Sequence, residues 1–453
     1  MSADFAGARR AAVFALGCRV NHSEAAMMAD ELERAGWRPV SFSDSAPLLI
    51  LNSCALTEFA EAKTRRAIKA FKRRNPGARV CAAGCYAQTS PGALAAAGAD
   101  IVVPNTEKAA AVRIALDMME GRDVSRFVPE PACGGALGAF RAGGGVEPDP
   151  GFSAGFPVLD RMGLKIQDGC DNACAYCIIP RARGGPRSRT FSEIMRDAEN
   201  LVSRGVREIT LTGINMSKFD GSLAALADAL DGIDGLYRVS LGSLEPPVPE
   251  FEALVERMAD PSHKLARHFH ISLQSASDTV LRRMRRRYSV SDFFSAVDFA
   301  KGADAGIGIG TDIICGFPGE GEAEFGETLR NISSSGLSFL HVFTYSPRPG
   351  TAAAREKPET LSVRKARADR LRREGRALLS RFIASLEGAE DDMLLEKPGP
   401  GGVYPGYLSN YVPARVEIPE KGLRNALARV RVAAESPSGG SARAELERIV
   451  FRP

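Results

Sequence analysis

The sequence predicts an α/β protein in three parts. These are an N-terminal parallel α/β sheet domain, a central partial TIM-like (β/α) barrel and a small C-terminal β-barrel. Three observations predict this. Short apolar runs alternate with helical patterns in two separate series, a Gly- and Pro-rich stretch divides the series, and the tail reads as strands broken by turn signals.

In the first series Val13 to Leu16 is apolar and Ser23 to Arg34 has helical periodicity. Leu48 to Leu51 precedes a helix over Glu58 to Arg74. Arg79 to Ala83 precedes one from about Pro91. Strands and helices alternating at this spacing imply a parallel sheet covered by helices. The stretch from Ala132 to Pro157 contains Gly143-Gly144-Gly145 and Pro148-Asp149-Pro150, the composition of a linker. The second series offers strands at Gly163 to Gln167, Glu208 to Thr212, Tyr237 to Leu241, His268 to Leu273, Ile307 to Ile314 and Phe339 to Tyr345. Helices such as Ser192 to Arg204, Phe251 to Met258 and Glu322 to Ser335 lie between them. About six βα units suit a complete or partial barrel. Val363 to Leu386 is a long basic helix. Beyond about Asp391, turns at Pro398-Gly399-Pro400-Gly401-Gly402 and Ser438-Gly439-Gly440 punctuate a strand-like tail. The expected boundaries are 1–131, a linker 132–157, 158–388 and 389–453.

The chain has 453 residues, 44% hydrophobic and 25% charged, with a net charge of +4. That is ordinary globular composition, and the charge permits a nucleic-acid partner without arguing for one. No apolar run approaches the ~18 residues of a membrane span. The run Ala11 to Gly17, after Arg9 and Arg10 and before Cys18, superficially resembles a lipoprotein signal. It continues into Asn21, His22 and Glu24, and a strand explains it better, so a cytoplasmic protein is expected. Nine cysteines, an odd number in a long chain, argue against a disulfide scaffold and leave thiols free for metal.

Cys170, Cys174 and Cys177 form a C-x-x-x-C-x-x-C loop just after the first barrel strand. Barrel active sites lie at the carboxyl ends of strands. Three thiolates on one loop can hold three irons of a 4Fe–4S cluster and leave the fourth open. A zinc knuckle or a fully ligated cluster needs a fourth ligand nearby. No histidine lies between His22 and His263, and no further cysteine comes before Cys315. Cys18, Cys54 and Cys85 each follow a different strand of the first series, at the sheet edge where ligands gather. Each alone reads as a small buried hydrophobe. Three at equivalent positions favour convergence on a second cluster. Cys81 lies within a strand and reads as core. Cys133 and Cys315 receive no role.

The loop Cys170-Asp171-Asn172-Ala173-Cys174-Ala175-Tyr176-Cys177 resembles the signature of radical-SAM enzymes. Gly17-Cys18-Arg19-Val20-Asn21, Asn52-Ser53-Cys54 and Gly84-Cys85-Tyr86-Ala87-Gln88 resemble the three cysteine motifs of the methylthiotransferases within them. The resemblance spans essentially the whole chain. It implies a radical-SAM barrel, a C-terminal TRAM domain, two 4Fe–4S clusters and S-adenosyl-L-methionine. One S-adenosylmethionine would supply a methyl to sulfur at the first triad. A second, cleaved at the second triad, would supply the radical. Arg19 after Cys18, Thr212-Gly213-Ile214-Asn215, and Ile178-Ile179-Pro180 ahead of Arg183-Gly184 resemble the branch acting on C2 of tRNA N6-threonylcarbamoyladenosine. His22 departs from that branch, where Gln is usual. The rival readings are the isopentenyladenosine branch, methylthiolation of a ribosomal-protein aspartate, and an iron–sulfur RNA-binding protein without radical activity.

By the same resemblance Tyr176 packs on the cofactor adenine, and Gln274, Ser275 and Arg286 are further cofactor contacts. The implied partners are tRNA, an electron donor such as a flavodoxin or ferredoxin, and a sulfur source the residues do not name. The basic stretches Arg282 to Arg287, Lys63 to Arg74 and Arg364 to Arg381 suit phosphate contacts. Tyr404, Tyr407 and Tyr411 are expected either to stack on bases or to pack the small barrel.

Overall fold

The computed structural model describes residues 9–128, 161–436 and 439–452. The expected linker 132–157 and Cys133 lie outside the described residues.

The first domain is a five-stranded parallel sheet in the order β2-β1-β3-β4-β5. Its strands are β1 (Arg10–Ala15), β2 (Arg38–Val40), β3 (Leu48–Ser53), β4 (Arg79–Gly84) and β5 (Ile101–Val103). All six residues of the central β3 are buried, as expected for a strand covered on both faces. Alternation divides them. Leu49 and Leu51 share one core with Ile68 and Phe71 of helix α2 (Glu58–Arg74). Leu48 and Ile50 share another with Met28 and Leu32 of helix α1 (Arg19–Arg34). Cys81 packs in that second core. Helix α3 (Cys85–Thr89) follows β4 directly, one turn that the sequence reading did not separate from the helix after it.

The second domain holds six parallel barrel strands. β6 (Arg161–Lys165), β9 (Glu208–Thr212) and β10 (Arg238–Leu241) pair in one sheet. β11 (Ser243–Leu244), β12 (His268–Ile271), β13 (Gly308–Cys315) and β14 (Phe339–Thr344) pair in the other. The expected third strand is thus two short pieces hinged at Gly242, the first on β9 and the second on β12. No ladder joins β6 to β14 among the described residues, so the barrel is partial. After β6 the chain turns into β7 (Gln167–Asp168), which pairs with β8 (Arg187–Ser188). This antiparallel clamp closes the base of the cysteine loop. The expected first strand therefore ends two residues early.

The tail is a five-stranded mixed sheet of β15 (Glu390–Leu394), β16 (Val403–Tyr407), β17 (Pro413–Glu417), β18 (Leu427–Glu435) and β19 (Ala442–Phe451). Its edges meet where Glu396 N–H donates to the Pro405 carbonyl at 2.9 Å. It docks against the amino ends of the barrel strands. Arg238, the first residue of β10, donates to the carbonyls of Tyr407 (3.0 Å) and Asp392 (2.5 Å). A Cβ on Gly308, the first residue of β13, would overlap the Asn410 carbonyl. The long helix Leu361–Ser385 joins the two units. Ala368, Leu371 and Leu378 enter the barrel core, and Phe382 and Ile383 the tail core.

Of the two readings open for the tail tyrosines, this docking favours packing. Tyr404 is 1% exposed, and its hydroxyl donates to the Glu420 carbonyl. Tyr411 stacks on His268 at 4.5 Å, and Tyr407 packs on Tyr411 with Arg161 over its face. These rings fill a core and an interface.

The first domain and the barrel exchange core residues. Met27 of α1 lies in the barrel core, whereas Ile178 and Ala182 after the cysteine loop lie in the first domain's. Between them sits a buried ionic network. Glu24 of α1, 3% exposed, binds Lys108 (2.7 Å), Lys165 (2.9 Å) and Arg183 (2.9 Å). Asp168 binds Arg183 (2.8 Å) and Lys165 (3.1 Å). Burial alone would raise the Glu24 carboxyl, but Arg183, Lys108 and Lys165 outweigh it and hold Glu24 well below the ordinary range. Asp168 is depressed in the same way.

Breaking such a buried network from one side costs about 3–5 kcal/mol. Glu24→Gln is therefore expected to lower the urea midpoint by that equivalent at pH 7. A depressed folded pKa contributes stability that is complete above the unfolded value of about 4.3 and declines as pH falls through the folded value. The gap between wild type and Glu24→Gln should hold from pH 7 to about 5 and narrow below about 4. A gap that stays constant to lower pH contradicts this assignment.

Candidate active site

The three cysteines of the first domain all lie at the carboxyl edge of its sheet. Cys18 caps the amino end of α1 after β1, Cys54 follows β3, and Cys85 opens α3 after β4. All three line one cavity. Gly17 makes this approach feasible. Its φ is +100°, and a Cβ there would lie 2.5 Å from the Cys54 sulfur. The Leu56 N–H points at the Cys54 sulfur (3.5 Å), and Arg183 Nε donates to that of Cys85 (3.1 Å). Arg183 Nη2 also donates to Asn21 Oδ1 at 2.6 Å. A side chain from the barrel domain thus reaches into the first domain's triad.

Cys170, Cys174 and Cys177 lie on the clamped loop. Cys170 N–H donates to Gly184 O, and Ala175 N–H to Met284 O, both at 3.0 Å. Backbone N–H groups two residues on point at two of the sulfurs, Asn172 at Cys170 (3.4 Å) and Ile179 at Cys177 (3.5 Å). Donors aimed at sulfur are a feature of iron–sulfur ligation. Burial pushes the Cys54 and Cys177 thiols up to about 12 and raises those of Cys18 and Cys174. Metal ligation requires the thiolate, so occupancy would expel these protons.

Beside the loop, Tyr176 donates from its hydroxyl to Gln274 Oε1 (3.0 Å) and accepts from Arg286 Nη2 (2.8 Å). Arg286 pairs with Glu245, which also accepts from Asn172 and from Asn215 at 2.5 Å. Gln274 adopts φ +71° at a backbone bridge to β13.

A cavity of about 380 Å³ is lined by all six cysteines together with Tyr176, Gln274, Arg286, Asn215 and Glu245. The structure therefore brings together both triads and three of the four expected cofactor contacts. Ser275 is not among the lining residues. It is fully buried, with its hydroxyl 3.4 Å from that of Thr328. Its neighbour Gln274, at positive φ, lines the cavity. Of the arginine-rich stretches, Arg286 serves the cavity. Arg367 is buried on Glu320 (3.2 Å), and Arg283 holds the Pro318 carbonyl (3.0 Å). The outer face of α2, with Lys63, Arg66, Lys69 and Arg73, is exposed. Sequence reasoning missed the network of Glu24, Lys108, Lys165 and Arg183. Only Arg183 carried a signal, six residues beyond Cys177.

Comparison with known proteins agrees with this geometry. The Radical SAM superfamily matches residues 164–332, and the uncharacterized protein family UPF0004 matches residues 10–104. The threonylcarbamoyladenosine tRNA methylthiotransferase MtaB of Thermotoga maritima is 35% identical over 87% of this chain and 88% of its own. That of Bacillus subtilis is 35% identical over 88% of each. The tRNA-2-methylthio-N(6)-dimethylallyladenosine synthase of Anaeromyxobacter sp. (strain Fw109-5) is 32% identical over 86% of this chain and 85% of its own. Among solved structures, the radical S-adenosylmethionine methyltransferase TsrM of Kitasatospora setae matches with a TM-score of 0.54 at 15% identity, covering 77% of each chain, a likeness of fold. With two cysteine triads on one cavity and relatives of this identity over most of its length, the chain belongs to the radical-SAM methylthiotransferase family, whose enzymes use two 4Fe–4S clusters and S-adenosylmethionine.

Proposed function

We propose that the protein methylthiolates C2 of N6-threonylcarbamoyladenosine next to the anticodon of tRNA. The observation that carries this reading is the shared cavity, in which two thiol triads from different domains face one space. The donor sets fit the clusters, with three thiols each and N–H groups aimed at the sulfurs. We assign Cys18, Cys54 and Cys85 to the sulfur-delivering cluster, and Cys170, Cys174 and Cys177 to the radical-generating one. When bound, the clusters and S-adenosylmethionine supply a methylated sulfur and a radical able to open an unactivated aromatic C–H bond.

The chain's own residues position and enclose. Tyr176 offers its ring to the cofactor adenine. Gln274 and Arg286 fix Tyr176 through its hydroxyl. Glu245, held by Asn172, Asn215 and Arg286, offers a carboxylate to the positive charges of S-adenosylmethionine. Leu56 lines the cavity mouth and leads to α2, whose exposed Lys63, Arg66, Lys69 and Arg73 suit the phosphates of a tRNA arm. The tail from residue 389 is a TRAM-like RNA-binding unit. It follows a barrel domain over 158–388 and a cluster domain over 1–131. The reaction takes electrons from a flavodoxin- or ferredoxin-type donor in the cytoplasm.

Deleting the gene should abolish 2-methylthio-N6-threonylcarbamoyladenosine in digested tRNA, as read by nucleoside mass spectrometry. Undiminished signal in cells without a second such enzyme overturns the substrate, and loss of the methylthio-isopentenyl nucleoside instead moves it to the sister branch. Gly17→Ala drives a methyl group into the Cys54 sulfur. Reconstituted protein should then carry about four irons where wild type carries about eight. It should still form 5′-deoxyadenosine while losing the methylthiolated product. A full iron complement in this variant contradicts the two-triad assignment.

A further inference from the structure

Apart from the cysteines, one group among the described residues gathers metal-type donors. His270 of β12, Asp312 of β13 and His341 of β14 lie on three adjacent parallel strands, and their ligand atoms all fall within 4.8 Å of one another. All three line the cavity shared by the cysteine triads. His270 Nε2 lies 3.2 Å and His341 Nδ1 3.4 Å from the same Asp312 oxygen, Oδ1.

Both spacings exceed the usual length of a charge-assisted bond, although 3.2 Å is within the ordinary N–H···O range. Charge-assisted N–H···O⁻ bonds run at about 2.7–2.9 Å. Both ring nitrogens of His270 are shut off from solvent without a hydrogen-bond partner, although the residue is only 9% exposed. An imidazole buried in that way is costly unless something engages it. Ligand atoms held about 2.0–2.2 Å from one ion at tetrahedral angles stand about 3.3–3.6 Å apart, close to the spacings seen here. Two imidazoles and one carboxylate suit a first-row divalent ion and leave coordination positions open.

We propose that His270, Asp312 and His341 bind a divalent transition-metal ion, separate from the iron at the cysteine triads, with open positions facing the active-site cavity. This gives the cavity a receptor for oxygen donors. On the substrate proposed above, those donors are the carboxylate, hydroxyl and carbonyl oxygens of the threonylcarbamoyl group. An isopentenyl group has none, so the ion would select between the two nucleosides.

The test uses the holoenzyme with both clusters oxidised and Mn²⁺ as the probe. Mn²⁺ favours imidazole and carboxylate over thiolate, and its free-ion EPR signal falls on binding. Wild type should take up one Mn²⁺ per chain without loss of cluster iron. Asp312→Asn, nearly isosteric, and His341→Ala, at a half-exposed position, should each weaken uptake at least about tenfold while cluster absorption stays intact. No uptake by wild type, or equal uptake by all three proteins, overturns the proposal. Binding is read without tRNA. An enzyme that takes up the ion yet leaves threonylcarbamoyl-tRNA unmodified keeps the metal site and sinks the substrate reading.

Discussion

The active site depends on one buried arginine. Arg183 belongs to the barrel domain, but its guanidinium meets Glu24, Asn21 and Cys85 of the first domain and Asp168 of its own. Every one of those contacts bears on where the two cysteine triads stand. Glu24 and Asn21 lie on α1, which Cys18 caps. Asp168 lies two residues before Cys170 and pairs in the clamp that closes the second cysteine loop. With its side chain 1% exposed, Arg183 has no water to fall back on, so its partners fix it. One planar group thereby ties together the segments that carry the two cysteine triads.

The charge balance of this network suits its neighbours. Lys108, Lys165 and Arg183 face Glu24 and Asp168, three cations against two carboxylates. Arg183 reaches the first triad, and its charge pulls the Cys18 and Cys54 thiols downward. Positive charge favours thiolate over thiol, and thiolate is the form that ligates metal. Burial opposes it, as the raised Cys54 and Cys18 thiols show. The network therefore holds two domains together and offsets part of the desolvation of the Cys18 and Cys54 thiols.

Much of this was legible in the sequence, for physical reasons that differ by residue. The loop Cys170 to Cys177 could be read as a radical-SAM segment because three cysteines on one short segment have their spacing written in the chain. Cys18, Cys54 and Cys85 could be read because parallel topology places successive strand ends along one edge. Helix α2 was expected over Glu58 to Arg74 and spans those residues. Glu24 and Lys165 resembled ordinary surface charges, since their burial arises from contacts 141 residues apart. Ser275 lies against Thr328, whereas its neighbour Gln274, at positive φ, lines the cavity, a difference that adjacent polar residues do not reveal in sequence. The tail tyrosines stayed open between two roles because composition marks aromatic residues without saying whether RNA or the barrel covers them. His341 passed unnoticed as a lone histidine, and only the parallel pairing of β12, β13 and β14 sets it beside His270 and Asp312.

Those three strands also explain how the tail bears on the cavity. His268 and Phe339, at the amino ends of β12 and β14, pack on Tyr411 of the tail. His270 and His341 lie two residues further along the same strands, on the same face. At about 3.3 Å per residue, that puts them some 7 Å above the docking surface. Arg19, the residue after Cys18, reaches the Tyr411 hydroxyl at 2.5 Å and stands over its ring. Tyr411 thus touches the floor beneath the histidines and, through Arg19, the first cysteine loop. The small C-terminal barrel is therefore a structural part of the active site, closing the barrel from below and bracing the triad beside it.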